Sequence, residues 1–65
     1  MSADALRRAL GSLAIDAEVE PRERLALLRP ADASAARRIA AERTRVVALA
    51  GEHGFSHVAV ELAEG

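Results

Sequence analysis

Ile15-Asp16-Ala17-Glu18-Val19-Glu20, then Pro21-Arg22-Glu23-Arg24, then Leu25-Ala26-Leu27-Leu28-Arg29-Pro30 is the stretch on which the fold turns. In its first part Ile15, Ala17 and Val19 alternate with Asp16, Glu18 and Glu20, the period of a strand with one wet face. The polar break holds a Pro that cannot serve a central ladder, and the apolar run after it is short and closed by Pro30. Together they predict a β-hairpin. Leu25, Leu27 and Leu28 do not alternate cleanly, so the second strand reads as covered on both faces, by a helix on one and by a partner on the other.

Working outward, Ser2 is placed to cap a first helix, Asp4 suits its first turn, and Leu6, Leu10 and Leu13 follow at i, i+4 and i+7. Gly11 and Ser12 predict its end. On the other side Pro30, Ala31 and Asp32 form a helix entrance, with Asp32 as the cap of one long Ala-rich helix reaching Glu52. Its stripe is Ala35, Ala36, Ile39, Val46 and Ala50, with Val47 and Leu49 at the edges. Arg37, Arg38 and Arg45 point away, whereas Arg43 falls inside the stripe and is expected to snorkel along its stem. Gly54 suits a left-handed helix cap. After it Phe55, Val58, Val60 and Leu62 share one face of a last strand, and His57, Ala59 and Glu61 the other.

These elements predict an α+β fold, one small αββαβ domain over residues 1–65, with a three-stranded mixed sheet and two helices on one face. A right-handed crossover makes the last strand parallel to the second. The pattern leaves the strand order open.

Size limits what such a domain can do. The chain has 65 residues, and 16 of its hydrophobic residues are Ala, leaving 17 larger side chains for the core. Burial of that amount roughly balances about 1.5 kcal/mol of ordering entropy per residue. A dimer interface or partner protein is therefore expected to complete it. The absence of Cys excludes disulfides, thiolate zinc sites and cysteine nucleophiles. The first thirteen residues have no leader-like apolar run and no stretch approaches a membrane span, which points to the cytoplasm and away from membranes. With nine basic residues against ten acidic ones, the chain lacks the field of a nucleic-acid module. All nine are Arg, and Lys, Asn, Gln, Tyr and Trp are missing, a pattern that fits GC-rich coding better than phosphate recognition.

Tests for chemistry fail at specific spacings. His53 and His57 are four apart, but Gly54 between them ends the helix that would align two imidazoles for a metal. They read as solvent-facing or capping histidines, and no metal site is assigned. Asp16, Glu18 and Glu20 line one exposed strand and do not face each other across a cleft as acid–base catalysis requires. Ser12, Ser34, Thr44 and Ser56 lie in no nucleophile elbow, and Gly11, Gly51, Gly54 and Gly65 form no phosphate loop. No catalytic residue and no cofactor is assigned. A basic face of Arg37, Arg38 and Arg45 reads as solvated, with Arg38 and Glu42 as an i, i+4 pair.

From Val46 the run Val-Val-Ala-Leu-Ala-Gly-Glu-His-Gly-Phe-Ser-His-Val-Ala-Val-Glu-Leu resembles the end of the PP-loop ATP-dependent sulfurtransferases of nickel-pincer cofactor synthesis, where a helix runs into Gly-Phe and then a strand. The preceding helix ending at Leu10-Gly11, the paired strands and Leu25-Ala26 before Pro30 follow the same order. Such a resemblance covers most of this chain but only the C-terminal region of the family. The family's ATP loop and sulfur-handling region have no counterpart here, and Glu18 and Glu20 stand where basic residues are expected, so no catalytic residue carries over. It implies a detached accessory domain that packs with itself or with a separate enzyme subunit.

The residues thus point to a non-catalytic assembly or protein-interaction domain, a homo-oligomer or the companion of another subunit. The expected interaction surface is the helix-free face of the sheet, with Leu28, His57, Ala59 and Glu61, or the Ala-rich half of the second helix.

Overall fold

Ser2 opens the first helix as anticipated: its Oγ accepts from the Ala5 N–H at 3.1 Å, and α1 runs Ala3–Ser12. The structure is a computed structural model and describes residues 2–61. Strand β1 is Ala17–Arg22, β2 is Leu25–Pro30, α2 is Ala33–Ala41, α3 is Arg43–Glu52 and β3 is His57–Val60. The sheet order is β1-β2-β3, with β1 antiparallel and β3 parallel to the central β2. This is the α+β class expected, with the last strand parallel to the second as expected.

Helix α1 ends with Gly11 and Ser12, as expected, and closes on Leu13, while Ala14 takes the left-handed conformation at φ 60°. The Ile15 N–H then donates to Leu10 O and the Ala14 N–H to Gly11 O, both at 3.0 Å. This double closure satisfies carbonyls that the helix end leaves free. At the end of α3 the same pair of bonds recurs: Phe55 N–H to Ala50 O at 2.9 Å and Gly54 N–H to Gly51 O at 3.1 Å, with Gly54 at φ 91°.

The hairpin loop is only Glu23 and Arg24, and Glu23 stands at φ 54°, the positive value that two-residue hairpin turns need. Strand β1 extends through Pro21 and Arg22, beyond the end expected from the polar break. Pro21 is tolerated because β1 is an edge strand. The Ala31 N–H donates to Asp16 O, so residues 16, 18, 20 and 22 turn their backbone groups to β2 and Pro21 turns its nitrogen outward.

The long helix expected from Asp32 to Glu52 is two helices that meet at Glu42, where φ is −104° and ψ 25°. Asp32 does cap the first, accepting from the Ala35 N–H at 2.8 Å. A straight helix over these 20 residues would be about 30 Å long, as long as the molecule's greatest dimension of 30 Å. The break at Glu42 lets α2 lie on β2 while α3 packs on α1 and β3.

All the helices cover one face of the sheet. Between them lies a core of Leu6, Leu10, Ile15, Ala17, Ala26, Leu28, Ile39, Val46, Ala50 and Phe55. No polar or charged side chain is buried among the described residues. Three of these ten core residues are Ala, so the core is thin, as the composition implied.

Candidate protein-interaction site

Strand pairing assigns every side chain of the sheet to a face. Val19 pairs with Leu28, and Leu28 with Val60, so Leu28 belongs to the helix side. It is fully buried there. Leu28 is therefore a core residue and no part of a helix-free surface, which corrects the expectation for it. The run Leu25-Ala26-Leu27-Leu28 carries apolar groups on both faces and gives no internal clue to its parity. Ala26 and Leu28 point in; Leu25, Leu27 and Arg29 point out.

His57, Ala59 and Glu61 do lie on the helix-free face, beside Leu25, Leu27 and Arg29 in turn. The outer row of β1 is Glu18, Glu20 and Arg22. An ion-pair ladder crosses this face. Glu20 receives Arg22 Nε and Arg29 Nη2, each at 2.5 Å, and Arg29 Nε reaches Glu61 at 3.3 Å. Hydrogen bonds from Arg22 and then Arg29 lower the pKa of Glu20, and those to Glu20 and Glu61 raise that of Arg29. Leu25 and Leu27, which pair with Arg22 and Glu20 of this ladder, are half-buried on the same face.

The outer edge of β3 is different. Glu61 N–H donates to Leu28 O at 2.8 Å and His57 N–H to Arg24 O at 3.3 Å, so residues 57, 59 and 61 face β2 and the backbone groups of Val58 and Val60 face away. No strand among the described residues pairs with that edge. On its helix side an open groove is lined by Ile39, Val46, Val47, Val58 and Val60, with Arg43 at its rim. Val47 is 54% exposed and Val60 38%, the two large apolar side chains left to solvent among the described residues. Arg43, expected to snorkel from a buried stripe, is exposed at this groove.

Other features offer less. His53 follows the last turn of α3 and His57 starts β3, with the corner at Gly54 between them, and the described residues contain no cluster of three metal-ligating side chains. Nδ1 of His57 lies 3.0 Å from Ser56 Oγ. Arg37, Arg38 and Arg45 are exposed. Glu42 pairs with Arg45 at 3.5 Å instead of with Arg38. A second concavity between α1 and the start of β1 sets Arg7 and Arg8 against Asp16 and Glu18, so its charges offset. The Ala-rich α2 buries Ala35 and Ile39 against the sheet side and exposes Ala33, Ala40 and Ala41. No helix of the described residues is long and apolar enough to cross a membrane.

The fold and edge define a small α+β domain with a mixed three-stranded sheet, helices on one side and one open strand. Compared with protein-family models, with curated proteins and with solved structures, the chain matches none. Residues 62–65, including Leu62 of the expected apolar row, lie outside the described residues.

Proposed function

We propose that this chain is a non-catalytic assembly domain that binds another protein chain along the outer edge of β3. The observation that carries the reading is the open β3 edge beside Val47, Val60 and their groove. Unpaired strand groups are a template for an added strand, and an adjoining apolar groove supplies pockets for its side chains. The two edges of the sheet support the choice. On β1 the outward Pro21 lacks a donor and the neighbouring row is charged; on β3 both outward residues are Val. The thin core supports it too, because burial of Val47 and Val60 adds apolar area that the chain alone lacks.

Sedimentation of the purified chain, alone and with any protein that co-purifies, tests this. The wild type is expected in a complex, and Val47→Glu is expected to release a folded monomer. Residue 47 is on the surface, so the substitution leaves the core intact. A wild-type chain that stays monomeric and partnerless at micromolar concentration removes the proposal.

A second reading gives the same edge a different occupant: an enzyme subunit of the PP-loop sulfurtransferase class, for which this chain serves as accessory domain. The helix, Gly54-Phe55 corner and following strand favour it. Co-elution with such an enzyme encoded by a neighbouring gene tests it, and unrelated neighbours without co-elution remove its basis.

A further inference from the structure

We propose that the occupant of the β3 edge is the β3 strand of a second copy, antiparallel, with the two-fold axis at Ala59. The inference rests on the assembly reading above and adds to it the partner and the register.

Register follows from which backbone groups are free. Val58 and Val60 turn theirs outward, two residues apart, with Ala59 between them. In an antiparallel pair centred on Ala59, Val58 exchanges both its hydrogen bonds with Val60 of the second copy, and Val60 does so with Val58. All four outward groups of each strand are then used. Ala59 faces its own copy in a pair without hydrogen bonds, where side chains approach most closely and a small residue suits the axis.

The side chains agree with that register on both faces. On the helix side valine meets valine, and Val60 of one copy sits beside Val58 at the lip of the other's groove. On the opposite face His57 of each copy stands across from Glu61 of the other, a donor against a carboxylate, twice over. Ser56 Oγ occupies Nδ1 of His57, which leaves Nε2 for that carboxylate. Glu61 already receives Arg29, so the ladder Arg22–Glu20–Arg29–Glu61 continues into the second copy through His57. A shift of two residues in register would set Glu61 beside Ala59 or beyond the end of the other strand, and the complementarity would be lost. Such an interface is isologous, closed, and gives a continuous six-stranded sheet without a new open edge, since the outer strands are then the two Pro21-bearing β1 strands.

The chain has no Cys, so a single Ala59→Cys reports on the register directly. Paired positions without hydrogen bonds hold their Cα atoms about 4.5 Å apart, within the range a disulfide spans. Mild oxidation of Ala59→Cys is expected to give a covalent dimer at least tenfold faster than Ala48→Cys, an exposed position on α3 away from the edge. Wild-type chain is expected to show twice the monomer mass by light scattering, and His57→Glu, which opposes two carboxylates at each end, to weaken the dimer at least tenfold. Cross-linking of Ala59→Cys no faster than that of Ala48→Cys overturns the proposal. Protection of the Val58 and Val60 amides only by a different protein overturns self-pairing while leaving the assembly reading standing.

Discussion

The two helix-to-strand corners of this molecule are built alike and end differently. Helices α1 and α3 are each ten residues long, each buries an apolar pair four apart (Leu6 and Leu10, Val46 and Ala50), and each closes with the same two backbone bonds onto a buried residue, Ile15 or Phe55. The first corner places Ala14 in the left-handed conformation and the second Gly54. Beyond the first, Ile15, Ala17 and Val19 keep strict alternation on the core side. Beyond the second the alternation slips by one: Phe55 is buried, but the next inward residue is Val58. The N–H groups of Ser56 and His57 both reach Arg24 O, at 2.8 and 3.3 Å, and that shared acceptor absorbs the extra residue. The slip turns His57, Ala59 and Glu61 to the helix-free face. The first corner leads to an edge blunted by Pro21, and the second to one that is open.

Substitutions can break this comparison. Phe55→Ala should have the largest effect, about 3–5 kcal/mol by chemical denaturation, because it empties the core beneath the second corner. An effect below about 1 kcal/mol would mean that the corner is not held by burial. The caps come next, as a reciprocal pair. Gly54→Ala forces a side chain into positive φ and should cost about 1–2 kcal/mol, whereas Ala14→Gly relieves that strain and should gain up to about 1 kcal/mol after the added entropy of the unfolded chain. Equal signs for the two would contradict the equivalence of the corners.

The smallest effect concerns the ladder on the helix-free face. Its bonds to Arg22 and Arg29 hold Glu20 below its ordinary pKa of 4.5. A depressed folded pKa stabilises the fold above the unfolded value, and that contribution is lost as pH falls through the folded one. Thermal melts of the wild type should therefore lose slightly more stability below pH 4.5 than those of Glu20→Gln. Coincident pH profiles would show that the ladder is screened by solvent.

Much of this architecture was legible in the residues. The alternation of Ile15 to Glu20, the cap at Ser2, the entrance at Asp32, the left-handed Gly54 and the parity of Val58 and Val60 against His57 and Ala59 each follow from local chemistry and appear in the structure. What escaped was set by tertiary pairing. Leu28 falls on the core side only because Val19 stands opposite it. The break at Glu42 falls within the stripe from Ala35 to Ala50, just before Arg43, the charged residue inside it, and no side-chain hydrogen bond caps the helix that follows. The left-handed residue that follows α1 is Ala14, a type with no preference for that conformation, and the bond from Ile15 to Leu10 closes the turn over the buried Ile15. Of the candidate surface, His57, Ala59 and Glu61 were readable from the period. The open edge was not, because strand order decides which strand lies outermost.

Hydrogen exchange at single residues of β3 tests the central claim most directly. At concentrations where the chain is assembled, the amides of Val58 and Val60 should be protected as strongly as those of Ala59 and Glu61, and dilution or Val47→Glu should release Val58 and Val60 alone. Fast exchange of Val58 and Val60 at every concentration, with or without a partner, would contradict the account.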